Sequence, residues 1–466
     1  MKTRFLAIAC CIFPLIPVAQ SIRDKLGAAI SLLEADPQFK HAAISLLVKD
    51  ANTGISLFDK NSRVGMVPAS CLKVVTSVVA MDLLGKDYSY KTVLSYNGTI
   101  KNGVLDKPLY LSASGDPTLG SWRWKHTNRQ SVMNKIFQSV QQAGITSFPG
   151  IIVDVSAWGS QTIPNGWVWE DIGNYYGAGC SALNWNENQF DILLKPGKKI
   201  GDKVEIISKN TAGKERLVSE LTTASKGSGD QAYAYYSLDN SNIYLRGTIP
   251  LGTESFSIKA AAANGVSHFA ESVQAEIKKS GSTDSVFIIA CSEACAAFTS
   301  STAVPICTFE SPGLDSINYW FLKKSINLYG EALVKSIGFE ISKSGTTDSG
   351  ISVIRDFWSK KGISKPAMKI LDGSGLSPAN RITAEALVAV LQYAKTRPWF
   401  NSFKYALPEI NGMTMKDGYM EGVRSFAGYN RAKNGNEFVF SFIVNNYDGN
   451  PALAREKMWK ILDILK

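Results

Sequence analysis

Val67-Pro68-Ala69-Ser70-Cys71-Leu72-Lys73-Val74-Val75-Thr76 decides how this chain is read. A hydroxyl and an amine stand three residues apart where an apolar helix begins. Serine is a weak nucleophile at neutral pH and needs a base beside it. Residues three apart share a helix face, so Lys73 sits one turn below the Ser70 hydroxyl. The helix start adds free N–H groups and a partial positive charge, which favour an unprotonated amine and a nearby oxyanion. A Ser and a Lys at this spacing recur by chance in most chains of this size, so the rest of the sequence has to carry the argument.

Working outward, the 466 residues are 45% hydrophobic and 19% charged, ordinary values for a globular protein with room for two or three domains. The formal charge of +10 is spread along the chain with no long basic run, which disfavours nucleic acid as a partner. Met1 to Arg4 followed by the apolar Phe5–Pro17 reads as a secretory leader cleaved near residue 20, too short to span a membrane well. The mature chain is then exported and has no transmembrane segment. The Cys count is seven, odd whether or not Cys10 and Cys11 leave with the leader. Cys291, Cys295 and Cys307 are close enough in sequence for one disulfide among them. The only histidines are His41, His126 and His268. There is no G-x-S-x-G, Walker loop or H-E-x-x-H, and no metal or cofactor is called for. That scarcity favours a serine nucleophile whose base is a lysine.

Coarse periodicity predicts helices over 22–35, 70–84, 130–144, 268–279, 314–324, 328–337, 353–361 and 384–394, with a closing amphipathic helix over 452–465 that packs on a sheet. A hairpin is predicted around Asp50–Gly54 and another around Lys433–Gly435, and the region from about 88 to 300 is β-rich. Helices on an antiparallel sheet, with the first and last thirds of the chain related, describe an α/β (α+β) domain interrupted by a long insertion.

Ser325-Ile326-Asn327 forms an S-x-N between two helices, and Lys416-Asp417-Gly418 precedes the last hairpin. An S-x-x-K, an S-x-N and a K-[T/S]-G in that order mark the penicillin-binding proteins and serine β-lactamases. Acyl transfer explains the residue types: a nucleophile, a base, a proton shuttle to the leaving amine, and positive charge for a carboxylate and an oxyanion. Longer stretches sharpen the resemblance. They are Tyr175–Asn188, Ser112–Leu119, Ser311–Leu314 leading into Ser325–Leu333, and Leu371–Ser377 followed by Asn380-Arg381. Together they resemble the class C low-molecular-mass penicillin-binding proteins, the D-alanyl-D-alanine carboxypeptidase/endopeptidases, over nearly the whole mature chain.

The resemblance implies a penicillin-recognising peptidase domain over 21–90 and 305–466, with two β-rich domains inserted between S-x-x-K and S-x-N, over 91–185 with 265–304 and over 186–264. It implies a periplasmic enzyme that cleaves peptidoglycan stem peptides and cross-links and is inhibited by β-lactams. Ser70 is then the acylated nucleophile, Lys73 its base, Ser325 the proton shuttle, Asn327 a support for substrate amide and Lys73, and Lys416 the positive charge. Backbone N–H groups of Ser70 and of Tyr419, after Gly418, form the oxyanion hole. One residue departs from the pattern: Asp417 stands where the family has a hydroxyl that helps bind a substrate carboxylate, and an anion there sets like charge against it. Arg424 is a candidate to compensate. Two other readings share these residues. One is another acyl hydrolase on the scaffold, a β-lactamase or esterase, against which the insertion argues. The other is a cell-wall-binding protein weakened in catalysis by Asp417, against which intact Ser70, Lys73, Ser325 and Asn327 argue. Asp116 and Asp372 read as turn-shaping, Asn184–Asn188 as scaffolding, and Trp122, Trp124, Trp167, Trp169 and Trp185 as packing residues rather than a glycan groove.

Overall fold

A computed structural model describes residues 21–211, 216–239, 241–279, 286–292 and 303–466. The leader expected over 1–20 and Cys295 lie outside them. The stretch Glu437–Asn445 organises the main body. Its run of apolar residues has to be covered on both faces, and side chains alternate across a strand. Phe438, Phe440, Phe442 and Val444 face one core, while Val439 and Ile443 face another. This strand is central in a six-stranded antiparallel sheet, ordered Glu409–Ile410, Met413–Met420, Val423–Arg431, Glu437–Asn445, Ala43–Asp50, Ser56–Lys60. Leu46 pairs with Phe442, so the chain's beginning and end share one sheet.

The first core joins that sheet to the two terminal helices. Ile22–Ala35 is N-capped by the Ser21 hydroxyl and buries Leu26, Ile30 and Leu33. Pro451–Leu462 buries Ala454, Met458, Ile461 and Leu462 against the same face, as its amphipathic pattern predicts. The second core holds the central helix Lys73–Leu83, packed with Asn327–Ser342 and Ala384–Lys395. Residues Lys73 to Met81 are all buried, so its polar side chains need partners inside. Thr76 donates to the Gly373 carbonyl at 2.7 Å, and Ser77 to Asn318 Oδ1 at 2.6 Å.

The helix expected to run unbroken from Ser70 begins instead as a 3₁₀ turn over Ala69–Leu72, with α geometry only from Lys73. A further helix, Phe400–Ala406, escaped the periodicity because seven residues make barely two turns. Between Leu83 and Leu314 the chain builds separate sheets. A mixed five-stranded sheet runs Phe287–Cys291, Gly150–Asp154, Leu109–Ser112, Lys91–Tyr96, Val304–Glu310. A three-stranded sheet centres on Gln189–Lys195, and a four-stranded one on Asn242–Pro250. Cys291 is disulfide-bonded, whereas Cys307, Cys71 and Cys180 are free thiols. Among the described residues no helix is long and apolar enough to cross a membrane.

Candidate active site

Ser70 sits in the 3₁₀ turn, preceded by Ala69 at φ 45°. A left-handed non-glycine residue costs conformational energy and persists where its surroundings impose it. The loop residue Gly375 packs against the Ala69 carbonyl here, closer than any side chain would allow. Ser325 takes the same left-handed conformation, φ 57°, in the turn between Leu314–Lys323 and Asn327–Ser342, where it is half-buried. That turn delivers Asn327 to the first position of its helix, against Lys73.

Lys73 is fully buried. Its Nζ lies 2.9 Å from Ser70 Oγ, 2.6 Å from Asn327 Oδ1 and 2.7 Å from the Ser374 carbonyl oxygen. Asn327 Nδ2 donates to the Tyr176 carbonyl at 2.8 Å, which can only accept, so the amide oxygen is the atom turned to Lys73. Two of the three neighbours of Nζ therefore take its hydrogens and have none to give. A neutral amine satisfies both and keeps its lone pair for the Ser70 hydroxyl. Burial, reinforced by the charge of Lys416, pulls the Lys73 ammonium down to about 7, while Asp372, Glu331 and Asp417 pull the other way. Cys71, the thiol next to Ser70, is poorly suited to act as a nucleophile. Burial pushes it up to about 12, and its Sγ donates to the Lys416 carbonyl at 3.2 Å.

Strand Met413–Met420 closes the site from the other side. Beyond Met415 it pairs only with Val423–Arg431, leaving its outer edge free toward the Ser70 turn. Ser425 Oγ donates to the Pro68 carbonyl at 2.5 Å and, with the Cys71 thiol, ties the sheet to that turn. Gly418 is where the two backbones meet. A Cβ there would lie 2.6 Å from the Pro68 oxygen and 3.0 Å from the Ser70 nitrogen. Only a residue without a side chain permits the approach. Tyr419 follows, half-exposed, with the Arg424 guanidinium 4.5 Å from its ring centre. Lys416 is buried, and its Nζ donates to both the carbonyl and the Oδ1 of Asp417, at 2.8 and 2.9 Å. Burial would raise the Asp417 carboxyl, but the Lys416 charge and hydrogen bond outweigh it and hold it below the usual carboxylate range. Arg424 is buried, its Nε without a hydrogen-bond partner.

A second layer holds these groups in place. Buried Glu331, one turn beyond Asn327, accepts from the backbone N–H groups of Gly373 and Ser374. Buried Asp372 accepts from Gly375 N, Ser377 N, Asn380 Nδ2 and Trp167 Nε1, which bears out its turn-shaping reading. Burial raises both carboxyls, and the charge of Asp372 raises Glu331 further. Asp116 likewise holds a turn, through Thr118 N and Oγ1. The scaffolding reading of Asn184–Asn188 gains a specific content: buried Glu187 accepts from Arg123, from Ser121 and, at 2.7 Å, from Tyr329 Oη on the Asn327 helix. Trp167 and Trp185 are buried and Trp124 is half-buried. Trp122 and Trp169 are half-exposed yet packed: Trp169 lies on Tyr235 and donates from Nε1 to the Tyr236 carbonyl at 2.9 Å, and the Trp122 ring lies under Arg123 and Lys259. Sequence reasoning gave no role to Glu331, Ser374, Tyr176 or Ser425. A charged residue in the middle of an apolar helix was the available signal for Glu331. The others act through backbone atoms or a buried hydroxyl and leave none. Among the described residues no three His, Cys, Asp or Glu side chains converge as a metal-ligand set.

This arrangement can transfer an acyl group through Ser70. Because Lys73 accepts a proton only when neutral, and its folded value is lowered to about 7, acylation should be slow below that pH and level off above it. Acylation rates by a penicillin between pH 5 and 9 check this. The expected result is about a tenfold fall per unit below pH 7. A flat profile would separate Lys73 from the proton transfer.

Comparison with known proteins agrees with the geometry. The model of the D-Ala-D-Ala carboxypeptidase 3 (S13) family matches residues 26–464. The chain is 24% identical to a D-alanyl-D-alanine carboxypeptidase of Actinomadura sp. (strain R39), covering 96% of this chain and 88% of that protein. It is 22% identical to D-alanyl-D-alanine carboxypeptidase DacB of Haemophilus influenzae, covering 89% and 88%. The crystal structure of penicillin binding protein 4 (dacB) from Haemophilus influenzae shares the fold, with a TM-score of 0.78 at 21% identity over 93% of this chain and 97% of that one.

Proposed function

The chain belongs to the D-Ala-D-Ala carboxypeptidase 3 (S13) family, and from that premise we propose how its residues divide the work. It is a serine-type D,D-peptidase acting on peptidoglycan stem peptides and cross-links, as carboxypeptidase, endopeptidase or both. Ser70 Oγ attacks the carbonyl of the penultimate D-Ala as its proton passes to Lys73 Nζ. The developing oxyanion meets the backbone N–H groups of Ser70 and Tyr419. As the C–N bond breaks, the proton goes to the leaving amine by way of Ser325. Water then attacks the ester, giving its proton back through Lys73, and Ser70 is regenerated. Asn327 fixes Lys73 and helps hold the substrate amide. Asp417 and Gly418 belong to the substrate-binding edge strand with Lys416. β-Lactams react at the same serine and inhibit. The enzyme works in the periplasm after export, where peptidoglycan is its partner.

The observation that carries this reading is the neutral-amine geometry, with Lys73 Nζ 2.9 Å from Ser70 Oγ and its two other neighbours obligate acceptors. The test is incubation of the mature protein, and of its Ser70→Ala variant, with cross-linked and uncross-linked muropeptides. The wild type should release D-Ala or resolve cross-links, and the variant neither. A variant as active as the wild type would overturn the assignment.

A further inference from the structure

The pairing of Lys416 with Asp417 bears on which leaving groups the site accepts, an inference that rests on the acyl-enzyme reading above. The residue expelled when Ser70 attacks is bonded to the reacting carbonyl through its amine, so any carboxylate on its α-carbon lies within a few bonds of that carbonyl. That places the carboxylate in the first ring of side chains around Ser70. Lys416 is the buried ammonium on the edge strand of that ring, two residues before Gly418, where strand and nucleophile turn touch. Its Nζ is already engaged by Asp417 Oδ1 and the Asp417 carbonyl. Asp417 is not sealed off: its side chain is 39% exposed while that of Lys416 is 1% exposed. A substrate carboxylate approaching Lys416 thus meets an anion on its open side and an ammonium with its charge already matched. Arg424, paired across the sheet with Tyr419, holds its guanidinium over the Tyr419 ring, 4.5 Å from its centre.

We propose that Asp417 is a specificity-determining residue that turns the enzyme toward substrates whose leaving residue carries no free α-carboxylate, as in an amidated cross-link. Selection here works by repulsion of the alternative: like charge disfavours the acid, whereas an uncharged carboxamide can donate N–H to the Asp417 carboxylate. Both substrates still form the same acyl-enzyme, because the acyl part is identical and only the expelled amine differs.

The experiment compares kcat/KM for N-acyl-D-Ala-D-Ala and for its C-terminal carboxamide, on wild type, Asp417→Asn and Asp417→Thr. Asn keeps the shape and removes the charge, and Thr restores a hydroxyl. The wild type should prefer the amide, and the amide-to-acid ratio should fall at least tenfold in both variants. A wild-type preference for the acid, or a ratio that is the same at all three, would overturn the proposal. Ser70→Ala, run on the same amide, reports separately on the acyl-enzyme. Cleavage by that variant would sink the underlying reading, whereas a ratio insensitive to position 417 sinks only this one.

Discussion

Replacing Lys73 by Ala should lower the rate of Ser70 acylation by a penicillin by about two to four orders of magnitude, the usual contribution of a positioned general base. The buried amine touches the nucleophile and is held by two acceptors that cannot release it. Lys73→Arg should not restore the rate, because a guanidinium keeps its proton inside a protein and has no lone pair to offer. The larger head group must also fit a site with no exposure to solvent. Stopped-flow acylation of the three proteins, with circular dichroism to show that each is folded, decides the matter. Wild-type rates in the Arg variant would reduce Lys73 to a fixed charge.

Gly418→Ala should be nearly as damaging although it removes no functional group. The new methyl carbon would sit 2.3 Å from Ser425 Oγ, 2.6 Å from the Pro68 oxygen and 3.0 Å from the Ser70 nitrogen. A serine rotamer can yield, but the backbone of the nucleophile turn cannot do so without moving Ser70 itself. A displacement of about 1 Å at a reacting centre costs on the order of a hundredfold in rate. The expected outcome is a loss of that size in acylation. An unchanged rate would mean that strand Met413–Met420 does not press on the Ser70 turn as described.

Much of this candidate site was legible in the sequence, and the reason is physical. Ser70, Lys73, Ser325, Asn327 and Lys416 are side chains whose chemistry demands particular types at particular spacings. The Asn327 helix and the strand Glu437–Asn445 announce themselves by burial, through runs of apolar residues with the right period. Less legible was how backbone atoms complete the site. Nothing in the letters says that the Ser374 carbonyl and the Tyr176 carbonyl fix the protonation geometry of Lys73, or that Ala69 and Ser325 adopt left-handed φ. Long-range tertiary packing imposes those, and local pattern carries no trace of it. Asp417 shows the boundary well. Its departure from the family pattern was visible in the sequence, as was the neighbouring Lys416, but the sequence could not show that the two side chains pair at 2.9 Å with the carboxylate left open to solvent. The short helix Phe400–Ala406 and the 3₁₀ start at Ala69 were lost for a simpler reason: one or two turns hold too few residues to establish a period.

The central claim is that Ser70 is the residue that becomes covalently acylated. Its most direct test is intact-mass spectrometry of the mature protein after exposure to a reactive penicillin, alongside the Ser70→Ala variant, with peptide mapping of any adduct. The account predicts one added penicilloyl group per chain, located on the peptide that carries Ser70, and none on the variant. Equal labelling of the two proteins, or an adduct mapped to any other residue, would contradict it.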